Sequence, residues 1–178
     1  MDLESMRPIG TAVVLLCLGG MGVLAFIKKN GEYKKRSAAQ PFIGSYPRSP
    51  MPITVGMDRA TARRKFIDGL RQMQINQGWS ISSGDPNSSR FTATMRWSSR
   101  LVDRDYRGHN RQTTQLDSTL VLKADFVSQG AQTLCQWSYD QTATSWNDPS
   151  NHRLDPKAEE YAAEANYQIL KALGLISA

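Results

Sequence analysis

The sequence predicts an α+β protein: a single transmembrane helix, then a two-layer domain in which a four-stranded antiparallel sheet is flanked by two helices (α-β-β-β-β-α). Three observations support this: a 19-residue uncharged run at 9–27, several segments that alternate apolar and polar residues, and apolar stripes of helical period on either side of those segments. The chain divides into a short tail (1–8), the membrane helix (9–27), a basic, proline-rich linker (28–56) and a soluble domain (57–178).

Composition and charge exclude several broad classes. With 178 residues, 40% of them apolar and 21% charged, the chain can bury a core, so it is not wholly disordered. Residues 1–56 carry seven Lys or Arg against three Asp or Glu, a net charge of +4, and residues 57–178 carry fifteen against thirteen, a net of +2. The overall charge of +6 is therefore concentrated near the membrane run, which disfavours nucleic acid as the partner.

The uncharged run at 9–27 has the length of a membrane anchor. A helix of 19 residues spans roughly 28 Å, close to the roughly 30 Å of a bilayer's hydrocarbon core. A cleaved signal peptide is the alternative, but the two acids of residues 1–7 and the flank Lys28-Lys29 do not fit it. The basic residues after the run predict that the large domain lies on the cytoplasmic or stromal side, with the exported side as the alternative.

The same helix offers a weak signal for self-association. Gly19, Gly22 and Ala25 recur at every third position, which presents a face of small residues to a second copy. No GxxxG pair is present, so a plain anchor in the lipid bilayer is the simpler interpretation, and a homodimer through this helix is the alternative.

Two helices and four strands are predicted in the soluble domain. The first helix covers 58–77, with Asp58 as N-cap; its apolar stripe is formed by Ala62, Phe66, Leu70 and Met73. The second begins at Asp155-Pro156, carries an alanine-rich stripe and ends at Gly174. The strands are expected at 79–82, 90–97, 116–127 and 132–139, with 51–55 as a further candidate edge strand.

Alternation within the strands indicates which side chains face the core. The predicted core positions are Phe91, Ala93, Met95 and Trp97, then Leu116, Leu120, Leu122, Ala124 and Phe126, and finally Cys135, Trp137 and Tyr139. In the middle group only Ser118 interrupts the apolar face. Cys135 shares its face with aromatic residues, so we expect it to be a small buried hydrophobe rather than a nucleophile.

Signatures of known enzyme chemistry are missing from the sequence. There is no GxxxxGK[ST], HExxH, CxxC or GxSxG motif, and the two histidines, His109 and His152, are isolated in predicted loops. The sequence therefore predicts a protein that is not an enzyme and that holds no cofactor or metal. A hydrolytic enzyme of unrecognised type stays open as an alternative, provided that one histidine approaches an acid and a nucleophile.

The most unusual stretch is Arg90–Arg111, which contains six arginines, no lysine and two aspartates. Arginine's planar guanidinium suits carboxylates and phosphates, and we expect most of these residues in a loop at 98–115. A second predicted loop, 140–154, carries a tryptophan suited to an interface. The predicted partner-binding residues are Arg96, Arg100, Arg104, Arg107, Arg111 and Trp146; an ordinary solvated surface is the simpler alternative.

Together these features predict a membrane-anchored protein-binding or assembly subunit of a membrane complex, which contacts another protein of that complex through the arginine-rich surface. The alternative is a binding module for a lipid or other anionic ligand, which requires an apolar pocket with converging arginines.

The predicted anchor and orientation are tested by protease protection. In sealed vesicles of known sidedness, we expect the 57–178 portion to be digested only where the cytoplasmic face is accessible, because the basic flank stays on that side. Release of the intact chain by alkaline carbonate would contradict the anchor, and digestion from the opposite face would contradict the orientation.

Overall fold

The computed structural model describes residues 31, 35, 38–41, 47–73, 78–82, 88–104, 111–145 and 155–177, with backbone alone at 101–104, 111–112 and 145. The chain divides into two units, residues 1–37 and 38–178, and the second contains the folded domain. The predicted membrane helix at 9–27 lies outside the described residues. Within the described part of the chain, no helix has the length and apolar character needed to span a bilayer.

The α+β class is confirmed, with five strands instead of the predicted four. The elements are β1 (Ile53–Val55), α1 (Arg59–Arg71), β2 (Ser80–Ile81), β3 (Arg90–Arg104), β4 (Arg111–Gln129), β5 (Gln132–Ser145) and α2 (Lys157–Ala172). All strand pairs are antiparallel, in the order β1-β5-β4-β3-β2. The additional strand is β1, which lies in the candidate edge segment 51–55 and pairs with β5.

The predictions of loops at 98–115 and 140–154 are partly wrong. The strands extend well beyond the segments in which apolar and polar residues alternate. β3 and β4 pair without interruption from Arg90, opposite Asp125, to Arg104, opposite Arg111. β5 continues to Ser145, which lies opposite Leu116 of β4. Backbone hydrogen bonds hold a ladder together whether or not one face is apolar. The alternation of apolar and polar residues covers only part of each of these strands, so it underestimates their lengths.

Helix α1 begins as predicted and ends earlier. The Asp58 carboxylate accepts a hydrogen bond from the Thr61 N–H at 3.0 Å; the hydrogen bonds from Thr61 lower the pKa of Asp58. The helix ends at Arg71 rather than at residue 77. The Met73 N–H bonds to the Leu70 carbonyl, and the Met73 side chain is buried, where its sulfur accepts from Trp79 Nε1 at 3.2 Å. Burial of Met73 in the core thus accompanies the end of the helix.

The core lies between one face of the sheet and the two helices, and Phe66 is at its centre. Its ring makes edge-to-face contacts with Phe91, Phe126 and Trp137 at centroid distances of 5.6, 5.4 and 5.2 Å. All the predicted core positions of the strands, and the α1 stripe, are buried. The predictions of which face of each strand is apolar are therefore confirmed.

The two helices approach very closely at Gly69. A Cβ atom built on this residue would lie 2.7 Å from the Gln168 carbonyl oxygen and 2.9 Å from Ile169 Cα, both on the backbone of α2. The small side chains Ala158, Ala162 and Ala165 are fully buried along α2, as their predicted role in close packing requires. Gly69 is thus required by the helix contact rather than by its own conformation.

Asp155 joins α2 to the sheet through a buried carboxylate. Its Oδ2 accepts hydrogen bonds from Trp97 Nε1 at 2.8 Å, Ser99 Oγ at 2.5 Å and Ser118 Oγ at 3.2 Å, while Oδ1 accepts from the Lys157 N–H at 3.0 Å. Asp155 is 2% exposed. Desolvation raises its pKa, but the hydrogen bonds led by Ser99 outweigh that effect, so the pKa lies below its ordinary value.

Asn166 forms a second buried polar contact, between α2, β5 and the start of the domain. Its Oδ1 accepts from Trp137 Nε1 and Tyr139 Oη, each at 2.8 Å, and its Nδ2 donates to the Pro47 carbonyl at 2.7 Å. Burial raises the pKa of Tyr139 well above its usual range, so the phenol stays a neutral donor. The chain from Pro47 to β1, which the sequence places in the linker, thus packs with the domain.

Replacement of Asp155 by Asn is expected to lower the free energy of unfolding at pH 7 by about 3 kcal/mol, because a buried amide brings an extra donor to a site that supplies only donors. The stability from a carboxylate with a lowered pKa is present above the ordinary Asp pKa of about 3.9 and is lost as the pH falls through the folded-state value. Urea unfolding of the full chain in mild detergent should therefore show the difference shrinking below about pH 4.

The control for this measurement is Asp140→Asn, which removes a carboxylate from an exposed pair with Lys123. Exposed pairs contribute roughly 0–1 kcal/mol, so this variant should remain close to wild type. Equal losses in the two variants, or an Asp155 effect that persists in acid, would contradict the assignment.

Replacement of Gly69 by Ala is expected to lower the free energy of unfolding by about 1–3 kcal/mol, because the new methyl group pushes against the α2 backbone. In an unobstructed helix the same change would stabilise by about 0.5–1 kcal/mol, so the sign is diagnostic. Gly56→Ala is the control, since a Cβ there meets nothing within 4 Å. A gain in stability at Gly69 would show that the helices are not in close contact.

Candidate interaction surface

The sheet face opposite the helices is the candidate site, and we call it the outer face. Because side chains alternate along a strand, the residues of β3 between its buried core positions all point to this face. They are Arg90, Thr92, Thr94, Arg96, Ser98 and Arg100. Neighbouring positions on β4 and β5 are mostly Thr, Ser, Gln and Asp, so the described part of the outer face is polar and largely exposed.

Two of the basic residues on the outer face are compensated within the sheet. Arg90 Nε lies 3.0 Å from Asp125 Oδ2 on β4, and Lys123 Nζ lies 2.5 Å from Asp140 Oδ2 on β5. Both pairs are exposed, so their net contribution to stability is small. Their charges are nevertheless balanced locally, which leaves this end of the outer face without a strong net field.

Arg96 and Arg100 differ from these pairs. Both are exposed, and neither has an acidic partner among the residues that the structure describes. They pair in register with Thr119 and Gln115 of β4, and Asp117, which lies between those two residues opposite Ser98, accepts a hydrogen bond from Ser98 Oγ at 2.6 Å. Four residues of extended strand separate them by about 13 Å on the same face, so they present two guanidinium groups in one direction.

The structure brings together two of the six predicted contact residues. Arg96 and Arg100 share the outer face, while Arg104 and Arg111 pair in register at the far end of the β3–β4 hairpin, where the structure describes backbone alone. Arg107 and Trp146 lie outside the described residues. The arginines that the sequence places in a loop are therefore, where described, presented by strands.

A groove of about 570 Å³ lies at the opposite end of the outer face from Arg100. Its walls include Pro50 and Pro52 at the β1 side and Thr92, Gln136 and Ser138 across the strands. The two cations in its lining, Arg90 and Lys123, are those already paired with carboxylates. The groove thus has a mixed polar and apolar lining, and both of its cations are paired with carboxylates.

Cys135 is a free cysteine that lies buried among core residues. Burial raises the pKa of the Cys135 thiol to about 11, which keeps it protonated and inert at neutral pH and supports the expectation that it acts as a hydrophobe. Within the described ranges, no three His, Cys, Asp or Glu side chains are arranged to hold a metal ion. His109 and His152 lie outside those ranges.

Sequence reasoning missed the polar cluster around Asp155. The sequence predicts that the second helix begins at Asp155-Pro156; in the structure Pro156 is the N-cap, and the Asp155 carboxylate accepts from the Lys157 N–H. Nothing in that prediction indicated donors from β3 and β4. One signal was present: Ser118 interrupts the apolar face of β4 and is 2% exposed. A hydroxyl in an apolar strand face indicates a buried acceptor nearby, since buried polar groups are almost always hydrogen-bonded.

Comparison with known proteins does not add to this geometry. No protein-family model matches the chain, and no curated protein matches it. Function is therefore inferred from the residues of the outer face and from their electrostatics.

Proposed function

We propose that the domain is a non-enzymatic binding module that contacts an acidic surface of another protein through Arg96 and Arg100, as a subunit of a membrane complex. The observation that carries the proposal is the asymmetry of the sheet. One face is filled by the helices, while the other presents two exposed arginines without an acidic partner among the described residues. Exposed arginines that form no ion pair within the described part of the chain can steer and orient an acidic partner.

The packing favours this function over a ligand-binding module. A lipid or other apolar anion needs a cavity between the sheet and the helices, where Phe66 makes its three aromatic contacts. Residues of α1 and α2 that face the sheet, such as Leu70 and Ile169, are fully buried there. On the outer face, the groove near Arg90 has its cations already neutralised.

The membrane anchor at 9–27 completes the proposal. It rests on the sequence prediction, and it would hold the binding domain near other proteins of the same membrane. A tethered module gains effective concentration towards partners within reach of its linker, so moderate affinity at the outer face is sufficient.

The double variant Arg96→Ala, Arg100→Ala is expected to weaken partner binding by about tenfold or more, because both guanidinium groups contact the acidic surface directly. Binding is measured by crosslinking in native membranes and by quantitative recovery of the crosslinked partner from detergent. Thermal unfolding should be unchanged, since neither arginine has an ion-pair partner among the described residues.

The matched control is the double variant Arg64→Ala, Arg71→Ala. Both arginines are exposed on α1, so their replacement removes the same charge from another surface. Recovery of the partner should be unchanged in this variant. Full recovery of the partner with both double variants would reject the outer face as the contact surface. An equal loss of recovery in both would show that only the net charge of the domain matters.

A further inference from the structure

The strand that carries Arg96 and Arg100 also has an edge that is largely unpaired among the described residues, and we call it the open edge. β2 is two residues long and pairs only with Ala93 and Thr94 of β3. Its continuation adds one backbone hydrogen bond, from the Ser82 N–H to the Thr92 carbonyl at 3.1 Å. Beyond Thr94, no described strand lies beside β3 on this side, although β3 continues for ten more residues to Arg104.

The hydrogen-bonding direction of each residue at this edge follows from the register. Thr92 directs its carbonyl towards β2, and in an antiparallel ladder every second residue points to the same side. The β3–β4 pairing contains no bulge, so this alternation is preserved along the strand. Arg96, Ser98 and Arg100 therefore direct their N–H and C=O groups away from β4, towards the open edge.

The edge and the arginines thus coincide on the same three residues. Their side chains point to the outer face, while their backbone groups point outwards in the plane of the sheet. An unpaired strand edge is a template for an added strand, which gains affinity from main-chain hydrogen bonds and specificity from alternate side chains. Here the alternate side chains of the template are cationic, polar and cationic.

We infer that the acidic partner binds by adding an extended segment to the β3 edge at Arg96–Arg100, an inference that rests on the proposed function. The added strand carries Asp or Glu opposite Arg96 and Arg100, four residues apart, and a small polar residue opposite Ser98. This spacing follows from the period of two along a strand, which places residues i and i+4 on the same face.

Charge distinguishes this occupant from a second copy of the same chain. An antiparallel pairing of two β3 edges about Ser98 would place Arg96 of one copy directly opposite Arg100 of the other. Like charges directly opposite one another destabilise a strand pair, and edge cations are a common protection against self-association. The same arginines that reject a second copy select an acidic strand.

The probe is a short capped peptide, Thr-Glu-Val-Thr-Val-Glu-Thr, added to isotopically labelled full-length protein in detergent micelles. Strand addition should slow amide exchange at Arg96, Ser98 and Arg100 and leave Trp97 and Ser99, whose N–H groups face β4, unchanged. The same peptide with methylated backbone nitrogens keeps its charges but cannot form the ladder, so it should bind at least about tenfold more weakly. Uniform changes along β3, equal binding of the methylated peptide, or no binding of the parent peptide would overturn strand addition.

Three variants separate the binding mode from the proposed function. Ser98→Pro removes the central edge N–H, which the ladder with β4 does not use, and should weaken both peptide and partner binding by about tenfold or more. Ser98→Ala also loses the side-chain hydrogen bond to Asp117, as Ser98→Pro does, but it keeps the backbone N–H. It should therefore bind as the wild type does. If Ser98→Pro recovers the partner fully while the Arg96, Arg100 double variant loses it, strand addition is rejected but the proposed function is not. Full recovery by all three would reject the proposed function.

Discussion

The carboxylate of Asp155 is the interaction on which the arrangement of the layers depends. It receives hydrogen bonds from two strands through Trp97, Ser99 and Ser118, and from the first turn of α2 through the Lys157 N–H. Gln141 of β5 donates to the Asp155 carbonyl at 3.3 Å. A buried charge is costly unless each of its acceptors is satisfied, and these donors meet that condition only when helix and sheet are in one relative position. The apolar contacts around Phe66 supply most of the burial but are less directional.

That position determines what each face of the sheet is free to do. With α1 and α2 both on one side, the apolar residues of β3, β4 and β5 are covered, and Gly69 allows the helices to approach one another without moving away from the sheet. The opposite face has no helix over it in the described part of the chain, and most of its side chains are polar. Arginines on such a face are available to a partner without any rearrangement of the core, which is consistent with a rigid binding module.

The unequal lengths of the strands have a related consequence. β3, β4 and β5 form long ladders, while β1 and β2 are short strips at the two edges of the sheet. A short edge strand normally protects a sheet from unwanted pairing, but here it leaves most of β3 without a partner strand on that side among the described residues. In the proposed binding mode, the positive side chains of Arg96 and Arg100 disfavour pairing with a second copy and favour a segment of opposite charge.

Several features of this protein follow from the sequence alone because they are local. Periods of two and of about 3.6 identified the α+β class, the buried faces of the strands, the Phe66 stripe and the Asp58 cap, since each depends on residues a few positions apart. The extent of β3 beyond Trp97 was not visible, because residues 98–104 (SSRLVDR) do not alternate apolar and polar side chains. The three side chains that donate to the Asp155 carboxylate lie 37 to 58 residues away along the chain, so only strand register and helix placement could bring them together. For the same reason, the sequence located the arginines, whereas the tertiary structure decided which of them share a face and an open edge.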